Sequence, residues 1–244
     1  MNKGRLLKML ALCVILLLML SQLAYAAGPT AHAYGFTYLG DWSTDRTWVV
    51  DMRLDEGGYS SSYLHDNSAS YVRYNMRNDA VFYICTHGSP GYFCCYSSSG
   101  TMTKISGNAV LSDSSCYSLY AMYNNTDYLK DMRLAYLSAC HQWEIDPTYG
   151  CTETRLRQYG VDVIVSWDGT IKIPQADVFD RFAFWYMMRE GYTVGTALAY
   201  AKAEVFYQFG DYGGVDHYHC SGNGDEVTTN PSNVRMIPAR YGKY

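Results

Sequence analysis

Residues 133–141 read RLAYLSACH, an apolar run that breaks into Ser138, Ala139 and Cys140. A matching run at residues 80–86 (AVFYICT) ends in His87 and Gly88, followed by the turn-forming Ser89-Pro90-Gly91. Both runs are apolar enough for strands buried on both faces, as parallel strands are. Each then delivers one reactive side chain, Cys140 or His87, at its carboxyl end.

A third apolar run at residues 161–167 (VDVIVSW) ends in Trp167-Asp168-Gly169, and a short helix is expected before it at residues 152–159, closed by Gly160. Two clear helices follow. In the first, Val178, Phe179, Phe182, Ala183, Trp185 and Tyr186 recur at three- and four-residue steps until Gly191; in the second, Val194, Ala197, Leu198, Ala201 and Val205 do so until about Gly210. Their apolar stripes read as core. Strands alternating with helices predict an α/β fold with a mostly parallel central sheet flanked by helices, and such sheets bind ligands outside the carboxyl ends of their strands. His87, Cys140 and Asp168 are then expected along one edge.

The remaining segments are less periodic. Residues 27–45 read as a polar, aromatic-rich entry segment, and residues 47–54 (TWVVDMRL) as a first strand before Gly57-Gly58. Residues 59–70 read as a loop leading to a short helix near 68–77, so His65 is taken as a loop residue. A hairpin is expected from residues 91–97 and 101–105, a helix at 113–122, and a last edge strand at 233–241, which Pro238 would suit.

The amino terminus carries Lys3, Arg5 and Lys8, then about a dozen apolar residues, too few for the roughly 20 that span a bilayer. Ala24-Tyr25-Ala26 has the form of a cleavage site, so residues 1–26 read as a signal peptide and the mature chain as exported, without a membrane anchor. Cleavage leaves 16 basic against 23 acidic residues. A mildly acidic surface argues against a nucleic-acid partner. Residues 46–244 are then one domain.

Seven cysteines follow the leader: Cys85, Cys94, Cys95, Cys116, Cys140, Cys151 and Cys220. An odd number leaves at least one thiol unpaired within a single chain, and permits anything from no disulfides to three. Adjacent Cys94 and Cys95 would face opposite sides of a strand, as packing residues or halves of separate disulfides. The spacings form no paired CxxC zinc site, and His217, His219 and Cys220 lack an evident fourth ligand, so no metal or cofactor is expected. The Asn124-Asn125-Thr126 sequon matters only in a host that glycosylates.

A cysteine attacks as its thiolate, and a nearby imidazole promotes its ionisation or protonates the leaving amine. His87 and Cys140 fit that division of labour. The resulting oxyanion needs preorganised donors, and a glycine directly after the histidine leaves its N–H open, so the N–H groups of Gly88 and Cys140 are the expected oxyanion hole.

A histidine-glycine pair after an apolar strand, with a Ser-Ala-Cys strand end 53 positions later, resembles the caspase-like cysteine peptidases. Four motifs in order, YICTHGSPG, LAYLSAC, YGVDVIVSWDG and REGYTVGTALAYAKAE, are similar to the CHAT domain of that clan and cover roughly residues 80–205. The resemblance implies a caspase-like three-layer sandwich and hydrolysis of a polypeptide substrate through a thioester, with His87 as general acid/base and Cys140 as nucleophile. Several arginine- or lysine-specific members carry an aspartate two residues before the cysteine, where this chain has Ser138, so a basic P1 preference is not implied. Ser138 at that position, and Trp167 and Asp168 at the end of the third apolar run, are the candidates for the substrate pocket, beside the plainer reading of Asp168 as a turn residue. The competing functions are a caspase-like binding or regulatory module without catalysis, and a Cys140 that is merely structural.

Overall fold

The computed structural model describes residues 29–119, 129–225 and Thr228. The strands are β1 (Thr30–Gly35), β2 (Ser60–His65), β3 (Val81–Cys85), β4 (Gly88–Ser89), β5 (Tyr92–Tyr96), β6 (Met102–Ser106), β7 (Cys116–Ser118), β8 (Leu134–Ser138), β9 (Val163–Trp167) and β10 (Tyr218–Gly222). The α-helices are α1 (Asp41–Glu56), α2 (Ala69–Asn75), α3 (Thr152–Gln158), α4 (Ile173–Met188) and α5 (Val194–Phe209).

Six strands form the central sheet in the order β2-β1-β3-β8-β9-β10. All pairings are parallel except that of β10, which closes the β9 edge antiparallel. β3 and β8, at its centre, are buried at every position, which requires helices or sheet on both faces. Strand alternation sorts their side chains into two cores. Val81, Tyr83, Leu134 and Tyr136 pack with Val50 and Leu54 of α1, Phe179 and Ala183 of α4, and Leu198 of α5. Phe82, Ile84, Ala135 and Leu137 pack on the other side with Val72 of α2, Leu156 of α3, and Phe93 and Ile105 of a small second sheet, β4-β5-β6-β7. The result is the expected three-layer α/β sandwich. Each large apolar side chain so enclosed contributes about 1.5–3 kcal/mol, so the β3–β8 centre should open only together with the fold as a whole.

The hairpin β5–β6, the helices α2 to α5, and strands β3, β8 and β9 lie where the sequence pattern puts them. Four segments differ. Residues 47–54 are helical, inside α1, because Ser43, Thr47, Val50 and Leu54 are buried at three- and four-residue spacing. Packing on the sheet there overrides the β-preference of adjacent valines. Residues 27–45, expected as an entry segment, contain β1, an inner strand between β3 and β2. The folded domain therefore begins before residue 46. β1 is poor in β-formers because Ala31, Ala33 and Gly35 let α1 approach: a Cβ on Gly35 would lie 2.8 Å from Thr47 Oγ1. Residues 59–70, expected as a loop, contain the edge strand β2, with His65 at its end.

In the segment expected to be helical at 113–122, residues 116–118 are instead β7, paired parallel to β6, and residues 120–122 lie outside the described residues. The signal peptide, the 124–126 sequon and the strand expected at 233–241 also lie outside them. Among the described residues, no helix is long and apolar enough to cross a membrane.

Candidate active site

Parallel pairing sets Cys85 of β3 opposite Ser138 of β8, and the Thr86 N–H donates to the Ser138 carbonyl at 3.1 Å. Two residues beyond that register, His87 and Cys140 leave the sheet at the same level from strands about 4.8 Å apart. The sheet therefore sets the chain segments that carry His87 and Cys140 beside each other at one end.

The His87 main chain is fixed by the Cys94 N–H, which donates to its carbonyl at 3.0 Å. Ladder alternation then leaves Gly88, opposite Phe93, at a non-hydrogen-bonded position with its N–H turned away from β5. The His87 side chain is exposed and flanked by two rings, Trp42 at 5.7 Å and Tyr96 at 6.4 Å between centroids. Trp42 is in turn covered by the Arg46 guanidinium, 5.7 Å from its ring centre.

Cys140 sits half-buried in the turn after β8, and its Sγ receives the Ile171 N–H at 3.5 Å. The next residue, His141, has φ +60°, a left-handed conformation that histidine adopts more readily than most residues. Its N–H donates to the Gly169 carbonyl at 3.0 Å, and the Trp143 N–H to the Trp167 carbonyl at 3.1 Å, so the turn is pinned to the loop after β9. Gln142 is wholly buried behind it. Its amide nitrogen donates to the carbonyls of Cys140 (2.8 Å) and Tyr92 (2.9 Å), and its oxygen accepts from the Thr152 hydroxyl at 2.9 Å. This one side chain holds the cysteine turn to the hairpin that carries His87. Gly88 closes against the same group: a Cβ there would overlap the Cys140 carbonyl oxygen and the Gln142 amide nitrogen.

Ser138 and Trp167, expected at the substrate, are instead enclosed at 2% and 0% exposure and offer no surface in this conformation. Ser138 shares the parity of Leu134 and Tyr136, so it points under the helices. There its Oγ donates to Asp180 Oδ2 at 2.5 Å and accepts from Arg46 Nη1 at 3.2 Å. Asp180 also accepts from the hydroxyls of Tyr83 (2.9 Å) and Tyr136 (2.8 Å) and from Arg46 (3.3 Å). Burial pushes its carboxyl above the ordinary range, against the lowering effect of Arg46 and the three hydroxyls. Trp167 packs edge-on to Tyr136 and Phe179 in the helix-side core. Asp168 is the member of that set left on the rim, exposed, with its N–H on the His217 carbonyl at 3.1 Å.

All seven described cysteines are free thiols, Cys94 and Cys95 both buried in packing. His219 stacks on Trp143, ring centroids 4.2 Å apart and planes 4° from parallel. Among the described residues, no three His, Cys, Asp or Glu side chains are grouped to hold a metal ion. Trp42, Gln142 and Asp180 carry no sequence motif. Their only signal is polarity or bulk at a position whose neighbours are distant in the chain.

No protein-family model matches the chain, and no curated protein does. Among solved structures the fold is similar to that of the Arg-specific cysteine proteinase gingipain R, with TM-score 0.61 and 10% identity over 83% of this chain and 48% of that one. The chain thus spans about half the length of that protein. Caspase-1 from Spodoptera frugiperda aligns with TM-score 0.42 and 12% identity over 75% of this chain and 79% of that one. The architecture is a caspase-like α/β sandwich with a mostly parallel sheet.

Proposed function

We propose that the chain is an exported cysteine endopeptidase, with Cys140 as nucleophile and His87 as general acid/base. The observation that carries this reading is the in-register adjacency of β3 and β8, which releases both side chains at one sheet edge. In the proposed reaction the Cys140 thiolate, receiving the Ile171 N–H, attacks the peptide carbonyl carbon. The N–H groups of Gly88 and Cys140 receive the oxyanion. The C–N bond breaks as His87 protonates the departing amine, and water then hydrolyses the thioester with His87 accepting its proton.

The substrate is a polypeptide, in keeping with the peptidase named in the similar structure, and the motif order LAYLSAC, YGVDVIVSWDG, REGYTVGTALAYAKAE favours the CHAT branch of the clan. Asp168, exposed on the loop after β9, is the remaining candidate for contact with the substrate side chain. The signal peptide would deliver the mature domain outside the cytoplasm.

The test is a peptide-library digest by the mature protein beside its Cys140→Ala and His87→Ala variants. Both variants lose cleavage, and Cys140→Ala also loses labelling by a thiol-directed covalent probe at that position. Cleavage that persists in Cys140→Ala refutes the reading.

A further inference from the structure

Three residues beside Cys140 take no part in the dyad. Glu144 Oε1 lies 2.5 Å from His141 Nδ1, and Nε2 of the same ring lies 3.2 Å from Thr170 Oγ1. Carboxylate, imidazole and hydroxyl are thus joined in series through the two ring nitrogens. With the carboxylate on Nδ1, the neutral ring carries its proton there, which leaves Nε2 as the acceptor and the Thr170 hydroxyl as the donor. The bond from His141, together with the Gly169 N–H at 2.9 Å, holds the Glu144 carboxyl below the ordinary range, so it is ionised and fixes that tautomer.

The arrangement is built by loops and held by the backbone. His141 keeps φ +60°, in the left-handed region that a non-glycine residue seldom adopts. The His141 N–H donates to the Gly169 carbonyl while the Gly169 N–H donates to Glu144, so the two loops are crossed twice. The ring and the carboxylate are 30% and 32% exposed, and Thr170 is exposed. One residue on, the Ile171 N–H donates to Cys140 Sγ at 3.5 Å, and removal of that thiol frees this donor beside Thr170.

We propose that Thr170 is a second nucleophile, activated by His141 and Glu144, that accepts acyl groups from small activated esters. Thr170 Oγ forms a C–O bond to the ester carbonyl carbon as its proton passes to His141 Nε2. The tetrahedral intermediate collapses by breaking the ester C–O bond, and His141 returns the proton to the departing oxygen. Water then attacks the Thr170 ester by the same route, His141 taking its proton and giving it to Thr170 Oγ, which releases the carboxylic acid and restores the hydroxyl. An exposed loop position suits a small acyl donor that needs no deep pocket. The inference does not rest on the peptidase reading, because it survives removal of the Cys140 thiol.

The test uses the full mature chain carrying Cys140→Ala, treated with p-nitrophenyl acetate and followed by intact mass and peptide mapping. The expected result is one added acetyl group, mapped to Thr170. Adding Thr170→Val abolishes it, Thr170→Ser retains it, and His141→Gln slows its formation by about 100-fold or more. Glu144→Gln slows it by a smaller factor. If these contacts only pin the loops together, Thr170 stays unmodified in the Cys140→Ala protein, or His141→Gln acetylates there as fast as its parent; either result overturns the proposal. Circular dichroism of each variant separates lost reactivity from lost folding. Should Thr170→Val not fold, the serine and glutamine variants still decide.

Discussion

Arg46→Met probes the buried frame below Cys140. Arg46 and Asp180 are both enclosed, at 2% and 0% side-chain exposure, and the guanidinium bonds Asp180 at 3.3 Å, Ser138 at 3.2 Å and the Ile173 carbonyl at 3.0 Å. Burial alone would weaken that cation, but Cys85, Asp180, Tyr83 and Asp177 around it more than compensate, and its pKa is raised. Methionine keeps much of the volume and leaves Asp180 a buried carboxylate without a cation, a loss of about 3–5 kcal/mol when one partner of such a pair is removed. The carboxyl has an escape, since it retains three hydroxyl donors and can take up a proton.

Its folded pKa is already above the unfolded value of about 3.9 and rises further without Arg46. Over that interval the folded state binds a proton that the unfolded state has released, so stability falls as pH increases. The expected loss is therefore near the full 3–5 kcal/mol at about pH 7, and shrinks toward the roughly 1 kcal/mol of ordinary hydrogen bonds at about pH 4. Urea unfolding of wild type, Arg46→Met, Asp180→Asn and the double variant at both pH values measures this. The double variant should recover about 2 kcal/mol or more relative to additivity at about pH 7, as coupled neighbours do. A loss independent of pH, or additive effects, refutes the reasoning.

Ser138→Asp should confer no preference for a basic P1 residue. It sets a second carboxylate against Asp180, 2.5 Å from the present hydroxyl, and lowers the melting temperature, as thermal unfolding and assays with arginine and lysine substrates will show. Gly88→Ala drives a Cβ into the Cys140 carbonyl and the Gln142 amide, and should lower peptide hydrolysis by about 100-fold or more with the far-ultraviolet dichroism unchanged. Gln142→Leu strips partners from the Cys140 and Tyr92 carbonyls and the Thr152 hydroxyl, and should lose on the order of 2–4 kcal/mol in urea unfolding.

What the sequence disclosed is what one-dimensional patterns encode. β3 and β8 are continuous apolar runs, α4 and α5 repeat at helical spacing, and His87 and Cys140 stand just past the ends of two of those runs. β1 and α1 were hidden because their identity is set by each other: small residues on the strand admit a helix whose β-branched residues look like a strand when read alone. Ser138 shows the same limit at the site. Its parity with Leu134 and Tyr136 is plain in the sequence, but the meaning of that face depends on Asp180, 42 positions on, and Arg46, 92 positions back. Gln142 likewise acts on Tyr92, 50 positions away.

The segments after β3 and β8 each carry a histidine, and the two are supported in opposite ways. His141 has one nitrogen committed to Glu144, which fixes the tautomer and leaves a single acceptor aimed at Thr170. Among the described residues no carboxylate pairs with His87, and its support comes from the faces and edges of Trp42 and Tyr96. Rings orient an imidazole through packing without specifying where its proton resides. In the proposed peptidase reaction that imidazole gives a proton to the departing amine and then takes one from water. His141 is oriented by a carboxylate toward one hydroxyl, whereas His87 is oriented by ring packing toward the proposed dyad.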